Sequence, residues 1–343
     1  MPMPRGWLSG WTQRRRGGQG AAAALYLSER GVAVARGERK AGGYRVAMGA
    51  YPVAAPGQLG AALQEAGRAA RLGEGTCHLV LAPGLYSMTL LERPPVADDE
   101  LRDAMRWRID DHIDFPASEA VIDVFPLPES ASRERAMVFV VAMRRDRLTW
   151  LLDTVHGAGI EAGCVDVCEL AMRNVARQLL PEPDRPLAVL WLTPSSGVIN
   201  VTRGDELFLS RRISGMPERH TESAWRDFAE RLLLQVQRSI DYFESAMGQP
   251  PCSALLVAAT QVWQAPVLAH LDEMLPLPVR ALGAELPAAV DLVDLAEAEA
   301  DARALAADTL AGARHEWLTL GLPAIGGVLA DDAAAPPGLE QAA

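Results

Sequence analysis

The chain has 343 residues and a net charge of −11, which predicts a large buried core and two domains and argues against general nucleic-acid binding, since that requires a basic surface. Lys40 is its only lysine and stands outside any G-x-x-x-x-G-K-[ST] pattern, which excludes a P-loop nucleotide site. The four cysteines form no C-x-x-C pair, so we expect no metal site and a reducing compartment.

Residues 1–20 are predicted to be a disordered leader. Three arginines followed by AAAALYL imitate a signal peptide, but a charged residue, Glu29, follows this short apolar run almost at once. A cytoplasmic protein is therefore predicted. No apolar run approaches the ~20 residues that cross a bilayer. The alternative prediction for this leader is that the aromatic and basic residues of segment 5–16 contact an anionic membrane surface.

The first half of the chain opens with three predicted strands, at 21–28, 31–38 and 44–53. A Glu-Arg connection and a glycine-rich connection predict that these strands pair as an antiparallel meander. A helix follows at 57–72, with apolar residues along one face, and then a strand at 77–83. This half therefore begins with the order β-β-β-α-β.

A further group of elements precedes the middle of the chain. The helix predicted at 98–113 carries Leu101, Met105, Ile109 and Ile113 at four-residue spacing. The other predicted elements are strands at 85–92, 121–127 and 136–143, a helix near 146–158, and a strand end that runs into a helix at 165–180.

The segment PEPDRP, residues 181–186, is the predicted linker. Beyond it the order β-β-β-α-β starts again, with a long amphipathic helix from about 222 to 247. The repeated order predicts an α/β architecture with two related domains that face a cleft. The other elements of this half are strands at 187–193, 197–203, 206–213, 253–259 and 279–282, a helix at 262–274 and a helical stretch near 299–320.

Two segments carry a resemblance to a known family. RWRIDDHIDFP (106–116) and VQRSIDYFES (236–245) resemble the type IV pilus assembly family of PilM and, still more, its MshI counterpart in mannose-sensitive haemagglutinin (MSHA) pilus systems. The similarity extends from about residue 21 to 330. It implies the actin-like fold of the division protein FtsA, which is a duplicated, ribonuclease H-like α/β fold of two lobes with a small inserted α+β subdomain.

The resemblance also implies how the chain is divided into domains. It implies a first lobe at 21–183 that contains an inserted subdomain at about 84–150. The second lobe, at 184–330, then includes a C-terminal helix. The tail at 331–343 is rich in alanine and proline and is predicted to be disordered.

By the same resemblance, ATP with magnesium would bind between the lobes, held by D-x-G in the first hairpin of each lobe and by a late Gly-Gly. The carboxylates would hold magnesium-bound water, and the glycines would let backbone N–H groups approach phosphate. The Asp and Gly positions are Tyr26 and Ser28 in the first lobe and Trp191 and Thr193 in the second, and the late Gly-Gly is alanine at 258–259. We therefore expect no catalytic residues, no metal and no cofactor.

Ser195, Ser196 and Gly197 in the second hairpin remain as candidates for contact with an anion, although a hydroxyl cannot replace a carboxylate as a magnesium ligand. Two alternatives stay open on the sequence alone. In one, the cleft still binds nucleotide weakly. In the other, the protein is an actin-family ATPase that uses ATP and magnesium to drive pilus assembly.

The resemblance further implies a non-catalytic scaffold at the inner membrane. PilM-type proteins hold the N-terminal cytoplasmic tail of a PilN-like inner-membrane protein in a groove between the first lobe and its insertion. The candidate residues here are Arg106, Trp107, Asp111 and Phe115. Trp107 either packs beneath the subdomain or stands exposed as an aromatic anchor, and the acidic group at 110–114 is either a solvated face or receives a basic partner. A cytoplasmic-domain-like component of type II secretion is a further alternative.

Overall fold

The structure, a computed structural model, describes residues 22–40, 43–132, 135–179, 184–194, 196–217, 221–286, 290–295 and 320–332. Several predicted features lie outside these residues: the leader at 1–20 with its membrane contact at 5–16, Ser195, most of the helical stretch near 299–320, and the tail from 333. In the described ranges, no helix is long and apolar enough to span a bilayer.

The described residues form fourteen strands and eight α-helices. The strands are β1 (Ala22–Ser28), β2 (Gly31–Lys40), β3 (Gly43–Pro52), β4 (Thr76–Leu81), β5 (Ser87–Glu92), β6 (Ala120–Pro126), β7 (Met137–Arg144), β8 (Glu161–Val167), β9 (Leu187–Leu192), β10 (Ser196–Arg203), β11 (Glu206–Ser214), β12 (Leu255–Ala258), β13 (Val279–Ala281) and β14 (Val290–Asp294). The helices are α1 (Leu59–Ala69), α2 (Asp98–Arg108), α3 (Arg145–Gly157), α4 (Cys168–Leu179), α5 (Glu222–Asp241), α6 (Gln261–Met274), α7 (Leu282–Glu285) and α8 (320–328).

Each lobe is built on one sheet, and the two sheets share a topology. The first sheet has the strand order β14-β3-β2-β1-β4-β8, and the second has β11-β10-β9-β12-β13. In both, an antiparallel three-stranded meander is extended by strands that run parallel to its first strand. The predicted order β-β-β-α-β is confirmed in both lobes, with α1 and α5 as its helices.

The insertion between β4 and α3 is a small α+β unit. Its sheet has the strand order β5-β7-β6, and α2 packs against it around a core formed by Leu101, Met105, Ile109, Ala120, Ile122, Val138, Val140 and Ala142. The helix ends at Arg108, before a 3-10 turn at Asp110–His112, whereas the apolar spacing predicted a helix to 113. Because α3 packs against α1 and β8 of the first lobe, the insertion ends with β7, somewhat before the end of the predicted range of about 84–150.

The C-terminal part of the chain returns to the first lobe. β14 pairs in parallel with β3, and α8 packs on the first sheet, where Gly327 lies against Ala24 and Gly321 against Met48. The prediction that all of 184–330 belongs to the second lobe is therefore wrong for β14 and α8. An apolar strand pattern does not specify which sheet edge the strand joins, since only the partner strand decides that.

The two lobes meet across α4. This helix contacts β4 and β8 of the first sheet and β9, β10 and β11 of the second, and its residues from Cys168 to Ala176 are all buried. Asn174 Nδ2 donates to the carbonyl of Gly326 in α8 at 3.0 Å. α8 therefore lies beside α4, and the first sheet is covered by both helices.

Candidate functional site

Two aromatic side chains meet between the lobes where β1 and β9 approach their carboxyl ends. Tyr26 is 3% exposed and Trp191 is 1% exposed. Their ring centroids are 6.0 Å apart, and the planes are at 80°, which is an edge-to-face contact. These are the two positions at which the family resemblance implies aspartate. The structure brings these two side chains together, but as a buried aromatic contact between the lobes.

The turns of both hairpins are closed by their own hydroxyl groups. In the first lobe, Ser28 Oγ donates to the carbonyl of Gly31 at 2.8 Å. In the second, Thr193 Oγ1 donates to the carbonyl of Ser196 at 2.8 Å and accepts the Ser196 N–H at 3.1 Å. The backbone N–H of Ser196, a donor of the kind that a bound phosphate would require, is therefore used inside the turn.

Gly197 has a packing role that is sufficient to explain the glycine. A Cβ at this position would lie 2.6 Å from Leu192 Cδ2 and 3.3 Å from Ile213 Cβ, both closer than ordinary van der Waals contact. The side chains of the flanking strands β9 and β11 occupy that space. Of the three candidates for contact with an anion, Ser196 and Gly197 thus serve the hairpin itself, and Ser195 lies outside the described residues.

A polar cluster, buried except for the exposed Arg212, joins the lobes beside the aromatic pair. The Tyr86 hydroxyl donates to the Glu169 carboxylate and accepts the N–H of Cys168 at 3.1 Å. From the second lobe, Arg212 donates to the Tyr86 carbonyl at 2.6 Å and places its guanidinium over the Tyr86 ring, 5.5 Å from the centroid. Asn200 Nδ2 donates to the Glu169 carbonyl at 2.9 Å. Sequence reasoning missed this cluster, and its one available signal was a glutamate within the apolar run VDVCELAM.

Burial controls the protonation of the cluster. Loss of hydration raises the pKa of the Glu169 carboxyl and that of the Asp166 carboxyl, because the charged form is disfavoured away from water. Burial likewise raises the pKa values of the Tyr26 and Tyr86 hydroxyls. These two carboxyls therefore keep their protons to a higher pH than solvent-exposed carboxyls do.

The inserted subdomain also contacts the second lobe. Ser130, in the connection between β6 and β7, accepts a hydrogen bond from Arg203 at its hydroxyl (3.1 Å) and one from Gln249 at its carbonyl (2.6 Å). On α4, Arg177 forms an ion pair with Asp205 at 3.0 Å. These contacts, together with the buried cluster, hold the lobes against each other at several places.

Mg·ATP does not fit the residues of the cleft. Aromatic rings stand where magnesium would need ionised carboxylates, and the N–H of Ala259 at the end of β12 donates to Gln264 Oε1 at 2.7 Å. The described residues hold no group of three or more His, Cys, Asp or Glu side chains placed to bind a metal ion. Among the described residues of the hairpins, aromatic rings thus stand at the expected aspartate positions, and the Ser196 N–H is used within its own turn.

The second candidate region is the surface of the insertion. Trp107 is 83% exposed. It therefore does not pack beneath the subdomain, which was one of the two interpretations of this residue, and its side chain faces solvent. Asp111 is exposed, and Phe115 is half-buried with the Arg144 guanidinium 5.8 Å from its ring centroid. Arg106 differs from these residues because its guanidinium is engaged inside the subdomain.

The contacts of Arg106 hold the segment that follows α2. Its Nη1 donates to the carbonyls of Ala117 and Ala120 at 3.1 and 2.9 Å. Asp110 supports the same segment, because its Oδ1 accepts the N–H of Ala117 at 2.9 Å. Arg106 and Asp110 therefore position the turn, whereas Trp107 and Asp111 present side chains to solvent.

Comparison with known proteins supports the fold. No family model matches the sequence, and no curated protein matches it. The chain is similar to the solved structure of a PilM-PilN type IV pilus biogenesis complex, with 18% identity and a TM-score of 0.65 over 93% of this chain and 100% of that one. It is also similar to a Bacteroides thetaiotaomicron protein with an actin-like ATPase fold and unknown function, with 10% identity and a TM-score of 0.51 over 79% of this chain and 95% of that one.

A third solved structure is the cytoplasmic domain of EpsL, an inner-membrane component of the type II secretion system of Vibrio cholerae. Its identity is 16% and its TM-score 0.46, over 76% of this chain and 84% of that one. The first two likenesses confirm the predicted fold class. The protein has an actin-like, two-lobed α/β fold.

Proposed function

We propose that the protein is a non-catalytic scaffold of type IV pilus assembly that binds a PilN-like inner-membrane protein. The observation that carries the proposal is the likeness to the solved PilM-PilN complex over 93% of this chain. The resemblance of segments 106–116 and 236–245 to the PilM and MshI family favours an MSHA-type pilus. A cytoplasmic location at the inner membrane follows from such a partner, with segment 5–16 as a second contact with the membrane.

The non-catalytic part of the proposal depends on the cleft. An actin-like ATPase needs carboxylates and free backbone donors between its lobes, and here Tyr26 and Trp191 pack against each other instead. A scaffold needs its lobes in a fixed arrangement. The hydrogen bonds of Arg212 to Tyr86 and of Asn200 to the Glu169 carbonyl supply one without a nucleotide.

The proposed docking surface lies on the exposed side of α2 and on the turn that follows it. Trp107 is a large exposed aromatic on a rigid helix, which is a typical interface anchor. Asp111 lies four residues later and is exposed. An apolar residue of the partner's N-terminal tail would pack on the indole, and a basic residue would meet the carboxylate. Phe115 would extend the apolar contact, and Arg106 would position the turn from within.

Replacing Trp107 with alanine is expected to weaken binding of a synthetic PilN-like tail peptide by about 30-fold, because aromatic hot spots contribute about 2 kcal/mol or more to binding. Isothermal titration calorimetry measures the dissociation constant. The free energy of unfolding should change by less than about 0.5 kcal/mol, because the side chain is exposed. Urea denaturation of the same variant then shows that a loss of binding is not a loss of fold.

Leu234→Ala is the matched control for this experiment. Leu234 is 50% exposed on α5 of the second lobe, so its removal should leave the peptide affinity unchanged. Equal affinities for the wild type and Trp107→Ala would exclude this surface as the docking site. A wild-type protein that fails to bind the tail would exclude the partner.

A further inference from the structure

A cavity of about 370 Å³ lies on the first lobe, away from the cleft. Gly37 of β2 faces α8, on the cleft side of the first sheet. Its neighbours Arg36 and Glu38 therefore point to the opposite side, because side chains alternate along a strand. The cavity wall includes Arg36 and Glu38 in β2, Arg45 and Ala47 in β3, Arg71 just after α1, Val293 in β14 and Leu295 just after it.

We propose that this cavity binds a small organic anion that carries phosphate or carboxylate groups. Three arginines from three different parts of the fold, Arg36, Arg45 and Arg71, line it. The planar guanidinium matches the oxygens of phosphate and carboxylate and can bind either in a bidentate manner. The site is independent of the docking surface on the insertion.

The charges around the cavity favour an anion. Arg45 lies directly opposite Glu38 across β2 and β3, and it also forms an exposed pair with Asp291 at 3.6 Å. Glu38 is paired with Lys40 at 3.0 Å. Within the described part of the chain, Arg71 has no ion pair. In and beside the cavity, the four cationic side chains of Arg36, Arg45, Arg71 and Lys40 thus outnumber the carboxylates of Glu38 and Asp291. This is a local excess of positive charge on a protein whose net charge is −11.

The backbone of Arg71 gives a second indication. Arg71 has a φ of 51°, and it is the one non-glycine residue with positive φ among the described residues. It occupies the position after the end of a helix at which glycine is usual, because a side chain disfavours this conformation. A strained residue of this kind is a frequent companion of a functional site. Here the residue in this conformation is one of the arginines that line the cavity.

The remaining walls define the rest of the ligand. Ala47, Val293 and Leu295 give the cavity an apolar side, and its volume is in the range of small-molecule sites. The ligand should therefore combine an anionic group with an apolar body. Arg36 also donates to the Ala70 carbonyl at the end of α1, at 3.3 Å, which explains that arginine as a helix-capping group but leaves Arg45 and Arg71 without such a role.

Calorimetric titration of the full chain with inorganic pyrophosphate and, separately, with citrate tests the site and distinguishes phosphate from carboxylate. We expect saturable binding of at least one probe at low ionic strength. Arg71→Gly should weaken it by about tenfold or more, since a charge-assisted hydrogen bond is lost, while glycine keeps the backbone conformation. Arg45→Gln should weaken it similarly, and Glu38→Gln should strengthen it.

Arg226→Gln is the control for nonspecific attraction, because Arg226 is exposed on α5 and pairs with Glu222 at 3.0 Å. It should leave the affinity of both probes unchanged. No saturable binding of either probe, or equal affinity in the wild type and Arg71→Gly, would overturn the proposal. Binding of the PilN-like tail peptide should be the same in the wild type and Arg71→Gly, so failure of one proposal is distinguishable from failure of the other.

Discussion

Replacing Trp191 with alanine is expected to lower the free energy of unfolding by about 3–5 kcal/mol, which is typical of a large aromatic removed from a core. Its indole is 1% exposed and fills the space between the lobes against Tyr26. The loss combines the transfer of a large apolar surface with a cavity that the flanking strands cannot close, because β9 is paired on both sides. Urea denaturation measures it.

A double-mutant cycle with Tyr26→Ala isolates the contact between the two rings. A coupling energy of about 0.5–1.5 kcal/mol is expected for an edge-to-face aromatic pair. Trp150→Ala is the control, since Trp150 is 52% exposed on α3 and should cost about 1 kcal/mol or less. If Trp191→Ala destabilised the protein no more than Trp150→Ala does, the buried contact of Trp191 with Tyr26 between the lobes would be contradicted.

Replacing Gly326 with alanine is expected to destabilise the protein by about 3 kcal/mol, at the upper end of overpacking effects. A Cβ on Gly326 would lie 2.0 Å from the carbonyl oxygen of Ala171 and 2.5 Å from its carbon. Both are backbone atoms of α4, so no side-chain rotation can relieve the clash. The helices α8 and α4 would have to separate, and the hydrogen bond from Asn174 to Gly326 would be lost.

Gly60→Ala is the matched control for this substitution. Gly60 lies in α1, and nothing is within 4 Å of the position that its Cβ would take. Alanine there should stabilise the protein by up to about 1 kcal/mol, because it has the higher helix propensity. The two variants can be compared by thermal and urea unfolding. A Gly326→Ala protein as stable as the wild type would show that α8 does not pack on α4 as described.

The repeated fold could be predicted from the sequence because its signals are local. Alternating and continuous apolar runs defined the strands of both meanders, and the order β-β-β-α-β recurred around a proline-rich linker at 181–186. The return of β14 and α8 to the first lobe could not be predicted in this way. Strand pairing and helix docking across more than 200 residues are decided by packing, such as that of Val328 over Gly37, and packing leaves no periodic pattern.

The same difference between local signals and long-range packing applies to the candidate sites. The identities of Tyr26 and Trp191 predicted a cleft without carboxylates at these strand ends, but only the three-dimensional arrangement showed that the two rings meet. The Tyr86, Glu169 and Arg212 cluster joins residues that are far apart in the chain. In the insertion, the four-residue spacing of Leu101, Met105 and Ile109 leaves Trp107 off the apolar stripe of α2, and its exposure agrees with that position. The same pattern could not reveal that Arg106 donates inward to two carbonyls.

A cleft closed by its own side chains is tested most directly by a calorimetric titration with Mg·ATP. The wild type and Arg71→Gly should be titrated in parallel, so that binding at the basic cavity is recognised by its loss in the variant. We predict no saturable binding of Mg·ATP to Arg71→Gly and no rise in its melting temperature at millimolar ligand. Saturable binding well below that concentration, with the rise of several degrees that such binding produces, would contradict the closed cleft and favour an actin-family ATPase.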